Sequence, residues 1–215
     1  MATHPLWSDE YWLLLLQLYL QKPVGIKPQY SRELVELSLD LHIPPVNLYE
    51  QQFVLRRRES AVLQLVWDSY AESPRKLKRD VKRLRELKGF GHQEEFYEGV
   101  EVKETFETDF LPLESNSELK PVMLIMVLDL YFRLTPITMV KDTPEVQDLA
   151  RMMKISPSTV VEIMDVFQFC DPYLNRDDFM ISPLLLPCRA IWDRYGNENP
   201  TKLSALAAQL RDYFK

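Results

Sequence analysis

Residues 13–54 recur without a gap 112 positions later, as residues 125–166. In that register Leu16, Leu18 and Tyr19 fall on Leu128, Leu130 and Tyr131. Glu33, Leu37, Ile43, Pro45 and Val54 fall on Glu145, Leu149, Ile155, Pro157 and Val166. Most other apolar positions pair apolar with apolar, as Leu14 does with Met126, Leu34 with Val146 and Leu41 with Met153. A second block returns at a shifted offset. Trp67-Asp68-Ser69-Tyr70, followed by Pro74 and Leu77, answers Trp192-Asp193-Arg194-Tyr195, followed by Pro200 and Leu203. Self-similarity of this kind marks a duplicated structural unit. The expected fold is therefore all-α, two tandem helical units joined by an acidic linker, with bounds at 1–91, 92–120 and 121–215.

Each unit reads as the same series of helices. The first opens at about Asp9–Gln21 with Ser8 placed to cap it, and its copy spans about Pro121–Leu134. Both are apolar on nearly every face, which predicts a central position in each unit. A second helix runs from near Ser31 to Leu41; its copy begins at Thr143, with Pro144 at the favoured first helical position. After a short break a third helix covers about Val46–Arg57, copied at about Ser158–Phe169. Each unit closes on a helix, Pro74–Lys88 and Pro200–Phe214.

The repeated helix–break–helix resembles the helix-turn-helix of bacterial transcription regulators and sigma factors. Leu149-Ala150, Met153, Ile155, Val160 and Ile163 carry the likeness in the second unit, and Leu37-Ser38, Leu41, Ile43 and Leu48 in the first. In such motifs a small residue on the first helix admits the second, whose outer face is free for the major groove. The resemblance implies that Ser158 caps the second helix of its pair. Two positions depart from the pattern: the turn residue, commonly Gly, is His42 or Lys154, and Gln51 stands where an apolar anchor is expected. The outer positions in the second unit, Ser158, Thr159, Glu162, Asp165 and Gln168, offer carboxylates and no cation, a poor surface for phosphate. The first unit offers Asn47, Glu50 and Gln51, then Arg56, Arg57 and Arg58.

Charge is distributed unevenly. Residues 1–91 carry 14 basic and 11 acidic side chains, residues 92–120 carry 2 and 9, and residues 121–215 carry 10 and 12. The basic excess centres on Pro74–Lys88, where Arg75, Lys76, Lys78, Arg79, Lys82, Arg83, Arg85 and Lys88, against Asp80 and Glu86, surround an apolar stripe of Leu77, Val81 and Leu84 that Leu87 would extend. Such a helix suits nucleic acid, an anionic membrane or an acidic protein segment. The acidic stretch that follows carries Phe96, Tyr97, Phe106 and Phe110 among its carboxylates. Those aromatics are candidate anchors, either for a protein partner or for folding the stretch back onto the basic helix.

Catalytic signatures are missing from the chain: it has no phosphate loop, dinucleotide fingerprint or nucleophile elbow. His4, His42 and His92 are scattered, and the Asp177-Asp178 pair reads as a turn. Cys170 and Cys188 have no nearby His and suit buried thiols of a reducing compartment. The apolar run Trp12–Leu20 is too short to span a membrane, and the N-terminus lacks a basic leader. The expected protein is a cytoplasmic, non-enzymatic helical-repeat adaptor without cofactor or metal that engages a protein partner. The alternative is a nucleic-acid regulator of the transcription type. It would use Asn47 and Gln51 near bases, and Arg56, Arg57, Arg58, Arg75, Lys78, Arg79, Lys82 and Arg83 on phosphates.

Overall fold

A computed structural model describes residues 4–87, 90, 105–174 and 180–215. These residues are helices and connecting turns, without a strand among them. The chain divides into two compact units, Met1–Lys103 and Glu104–Lys215.

The first unit contains α1 (Tyr11–Leu20), α2 (Arg32–Leu41), α3 (Pro45–Arg57), α4 (Ala61–Tyr70) and α5 (Pro74–Arg85). α1 packs against all four others. It can do so because Leu14, Leu15, Leu16 and Leu18 bury apolar side chains in several directions around one short helix. Its cap differs from expectation: Glu10, without a side-chain bond, occupies the cap position, and the Ser8 carbonyl accepts from Tyr11 N–H instead. A polar clip ties the loop after α1 to α3. The Gln52 side chain accepts from Lys27 N–H at 2.7 Å and donates to the Lys27 carbonyl at 3.3 Å. The Lys27 ammonium donates to the carbonyls of Gln21 and Pro23, and burial holds its pKa below the usual lysine range. In the 112-residue register these two positions are Met139 and Met164, both buried, so the second unit has apolar side chains where the first has this clip.

The second unit begins with α6 (Thr105–Phe110) and continues through α7 (Pro121–Arg133), α8 (Pro144–Met153), α9 (Pro157–Cys170), α10 (Leu185–Tyr195) and α11 (Pro200–Leu210). A single 3-10 turn, Arg211–Phe214, finishes the chain where the sequence predicted further α-helix. Ten consecutive residues of α7, Val122–Tyr131, are buried, and α6, α8, α9, α10 and α11 all pack on it.

Residues 105–120 therefore belong to the second unit rather than to a linker. Phe110 and Leu119 are core residues, and the Asp109 carboxylate is matched by both terminal nitrogens of Arg194 at 2.7 Å. The acidic composition hid this, because the neutralising arginine lies 85 residues away.

The two helix breaks share one geometry. His42 and Lys154 both adopt left-handed backbone, φ 53° and 59°, where a glycine is usual. The next residue's N–H then closes on the preceding helix, Ile43 to the Ser38 carbonyl and Ile155 to the Ala150 carbonyl. Ser38 and Ala150 are fully enclosed, and their small size admits the following helix. Ser38 also donates its hydroxyl to the Ile43 carbonyl. The cap of α9 is Ser156, which accepts from Thr159 N–H at 3.0 Å, rather than Ser158. Likewise Thr143 precedes α8 but turns its hydroxyl back to the Thr138 carbonyl.

Left-handed backbone costs a side-chain-bearing residue about 1–2 kcal/mol, while glycine loses about 0.5–1 kcal/mol more entropy on folding. Lys154 is exposed, so the replacement disturbs no packing. Lys154→Gly is expected to stabilise the protein by roughly 0.5–1 kcal/mol, read as a rise in the urea midpoint at constant slope.

Candidate interaction surfaces

The basic face of α5 points outward. Leu77, Val81 and Leu84 are buried, while Arg75, Lys76, Lys78, Arg79, Lys82, Arg83 and Arg85 are exposed. Asp80 lies among them. It accepts from Arg79 at 2.9 Å and from the Tyr70 hydroxyl at 3.2 Å, with Arg83 at 3.9 Å. The hydrogen bond from Arg79 is the main cause that holds its carboxyl below the usual carboxylate range. Lys82 reaches Glu86 at 3.7 Å, and Arg85 reaches Asp40 of α2 at 2.5 Å. Lys76 sits 4.6 Å from the centroid of the Tyr70 ring.

The other residues of the proposed nucleic-acid set lie on α3, which packs against α1 and α2, whereas α5 packs against α1 and α4. Arg56 and Arg57 are exposed; Asn47 and Gln51 are half-buried. Arg58 takes a different role. It ends α3 in left-handed backbone and stacks its guanidinium 3.8 Å from the centroid of the Trp67 ring. The Trp67 indole N–H in turn donates to the Leu55 carbonyl at 2.9 Å, joining α4 to the end of α3. Tyr49 and Phe53 form an edge-to-face pair along α3, where Val46 and Phe53 are exposed. The outward side of α3 is thus mixed apolar and polar. On α9, Ser158, Glu162 and Asp165 are exposed and Thr159 is half-buried. Gln168 is buried rather than outward, its amide nitrogen 3.5 Å from Met139 Sδ.

Of the aromatic anchors, Phe96 and Tyr97 lie outside the described residues, and Phe106 is half-buried. Phe110 is 3% exposed, its ring centroid 5.1 Å from that of Tyr213. It serves the second unit's own core and is not presented to a partner.

Periodicity did not reveal a cleft of about 360 Å³ between α1, α2 and the end of α5. Leu14, Leu18 and Leu37 form its floor, and Gln17, Gln21, Glu33 and Glu36 its walls. The Asp40–Arg85 pair closes one side. Its lining comes from three separate helices, which no local pattern brings together.

Both thiols are held above the usual cysteine range. Burial pushes the Cys188 thiol far up, with neighbouring Cys170 and Glu162 adding to it. Burial also raises Cys170, against the opposing pull of Arg189. Since the thiolate is the reactive form, neither cysteine is expected to react with Ellman's reagent within minutes at pH 8 in the native protein. Both should react once urea unfolds it. Among the described residues no cluster of His, Cys, Asp and Glu could hold a metal ion, and no helix is long and apolar enough to cross a membrane.

Comparison of the chain with protein-family models, curated proteins and solved structures finds no match.

Proposed function

We propose that the chain is a non-enzymatic cytoplasmic adaptor of two duplicated helical units that engages another protein. The duplication is supported by the series of five helices that both units share, and by paired left-handed turns at His42 and Lys154. On this reading α2–α3 and α8–α9 are helix-turn-helix-like pairs kept for their packing. The acidic outer side of α9 favours a structural use over contact with phosphate.

The observation that carries partner binding is apolar surface on the second unit. Between α9 and α10, Tyr173 and Ile181 are each 88% exposed, and Leu186 near the start of α10 is 80% exposed. Large apolar side chains left this exposed, and close together in sequence, are candidates for a protein contact.

The test is a photo-crosslinking side chain at position 186 of the full chain, combined with pull-downs of the wild type and an Ile181→Ser/Leu186→Ser variant. One protein should be crosslinked at 186 and lost from the variant, whose thermal midpoint stays unchanged. Absence of a crosslinked protein, or retention of every captured protein by the variant, overturns the reading.

A further inference from the structure

We propose that the outer face of α5 is a docking surface for the phosphate backbone of a nucleic-acid duplex, engaged by charge and without base readout. The inference is independent of the adaptor reading, since it concerns the first unit and a different class of partner.

Three observations narrow the occupant. The apolar stripe of α5 is consumed by the core, with Leu77 and Val81 each 3% exposed and Leu84 7%. A basic amphipathic helix binds a bilayer by burying that stripe among acyl chains; here the stripe within α5 is already covered, and Arg and Lys dominate what remains outside. The outward face carries Arg and Lys with no aromatic side chain, whereas single strands are held largely by bases stacked on aromatic rings. Finally, Arg75, Lys78 or Arg79, and Lys82 stand on successive turns of one straight helix, about 5.4 Å apart. A duplex offers a phosphate about every 1.7 Å of axis. Such a row therefore meets phosphates in any register, which suits binding without sequence preference.

Charge accounting locates the footprint. Asp40 draws Arg85 toward α2, where Glu33 and Glu36 also stand, so that end of the helix repels polyanions. Asp80 occupies Arg79 and partly Arg83, and Glu86 lies 3.7 Å from Lys82. Among the described residues Arg75 and Lys78 have no carboxylate within ion-pair distance. The footprint thus centres on the first two turns, with Lys82 and Arg83 completing it.

The experiment is fluorescence anisotropy of a labelled 20-base-pair DNA duplex with the full chain, across a salt series. About four cations on phosphates give a slope of log affinity against log salt near −3.6, which is roughly a 100-fold loss between 50 and 200 mM salt. Arg75→Gln/Lys78→Gln/Lys82→Gln changes only exposed side chains. It is expected to weaken binding more than 10-fold at 50 mM salt, to flatten the slope by about 2–3, and to leave circular dichroism and the thermal midpoint unchanged. Arg56→Gln/Arg57→Gln should change affinity less than two-fold. Absence of duplex binding at 50 mM salt overturns the proposal. So does loss through the α3 variant with the α5 variant intact, or stronger competition by single-stranded oligo-dT, phosphatidylglycerol vesicles or polyglutamate than by unlabelled duplex.

Discussion

Phe167→Ala is expected to lower the unfolding free energy by about 3–5 kcal/mol, the range for removing a buried aromatic ring. Phe167 is fully enclosed in the last turn of α9, which packs on α7, α8 and α10. Its ring centroid lies 6.2 Å from that of Tyr131 on α7 and 6.3 Å from that of Trp192 on α10, and Tyr131 and Trp192 are themselves 6.0 Å apart. Truncation therefore opens a void at the meeting point of three helices whose other two rings cannot both move in. Relaxation is limited further by Gly196. A Cβ there would come within 2.6–2.8 Å of the Trp192 indole, so that indole already lies against the backbone at the end of α10. Urea unfolding followed by circular dichroism measures the effect. Phe167→Leu should cost less, because the 112-residue register places Leu55, equally buried, at the corresponding point of the first unit. A loss below about 1 kcal/mol for Phe167→Ala would contradict the packing described, since well-packed aromatic deletions do not cost so little.

Asp109→Ala is expected to cost about 2–3 kcal/mol. Breaking a buried pair by removing one partner typically costs 3–5 kcal/mol, and the lower figure reflects Arg194, whose side chain keeps about a third of its exposure. The pair is bidentate, with both nitrogens at 2.7 Å, and the arginine also donates to the Tyr195 hydroxyl at 2.9 Å. The hydrogen bond to Asp109 is the leading cause that raises the Arg194 pKa; without that partner the guanidinium is still protonated, as any arginine is, and cannot relieve the loss by neutralising. α6 has only six residues, too few to hold a helix unaided. Its packing on α7, this pair, and Phe110 against Tyr213 help to attach it; the Tyr213 hydroxyl also accepts from the Lys120 ammonium at 2.7 Å. A cycle of Asp109→Ala, Arg194→Ala and the double variant isolates the coupling. Near-additive single effects would mean that the two side chains contribute separately. The exposed Lys82–Glu86 pair should show almost no coupling in the same assay.

Local pattern predicted the helices well because each is encoded within a few residues. Pro45, Pro74, Pro121, Pro144, Pro157 and Pro200 all open helices, where a missing N–H is harmless. The apolar runs of α1 and α7 implied central positions, and both helices occupy them. Caps were harder to place: Glu10 and Ser156 take the positions expected of Ser8 and Ser158, while Thr143 holds its position but turns its hydroxyl to the Thr138 carbonyl. The candidate surface divided less predictably. Arg58 looked like its exposed neighbours Arg56 and Arg57, but it was drawn to a tryptophan on another helix. Likewise Gln51 and Gln52 are adjacent and identical, and only the second is buried, because one helical step turns it toward Lys27.

Sequence alone determined the helix series that the two units share, though not α6, together with the breaks between α2 and α3 and between α8 and α9, and that α5 has one apolar and one cationic side. Periodicity and backbone chemistry act over a few residues, and the chain displays both directly. Tertiary structure decided which charges are paired with one another. Asp109 and Arg194 lie 85 residues apart, and Arg85 and Asp40 lie 45 apart. Nothing in the local pattern of either member announces such a pair. Electrostatic interaction depends on distance in space, and only the packing of the helices sets that distance.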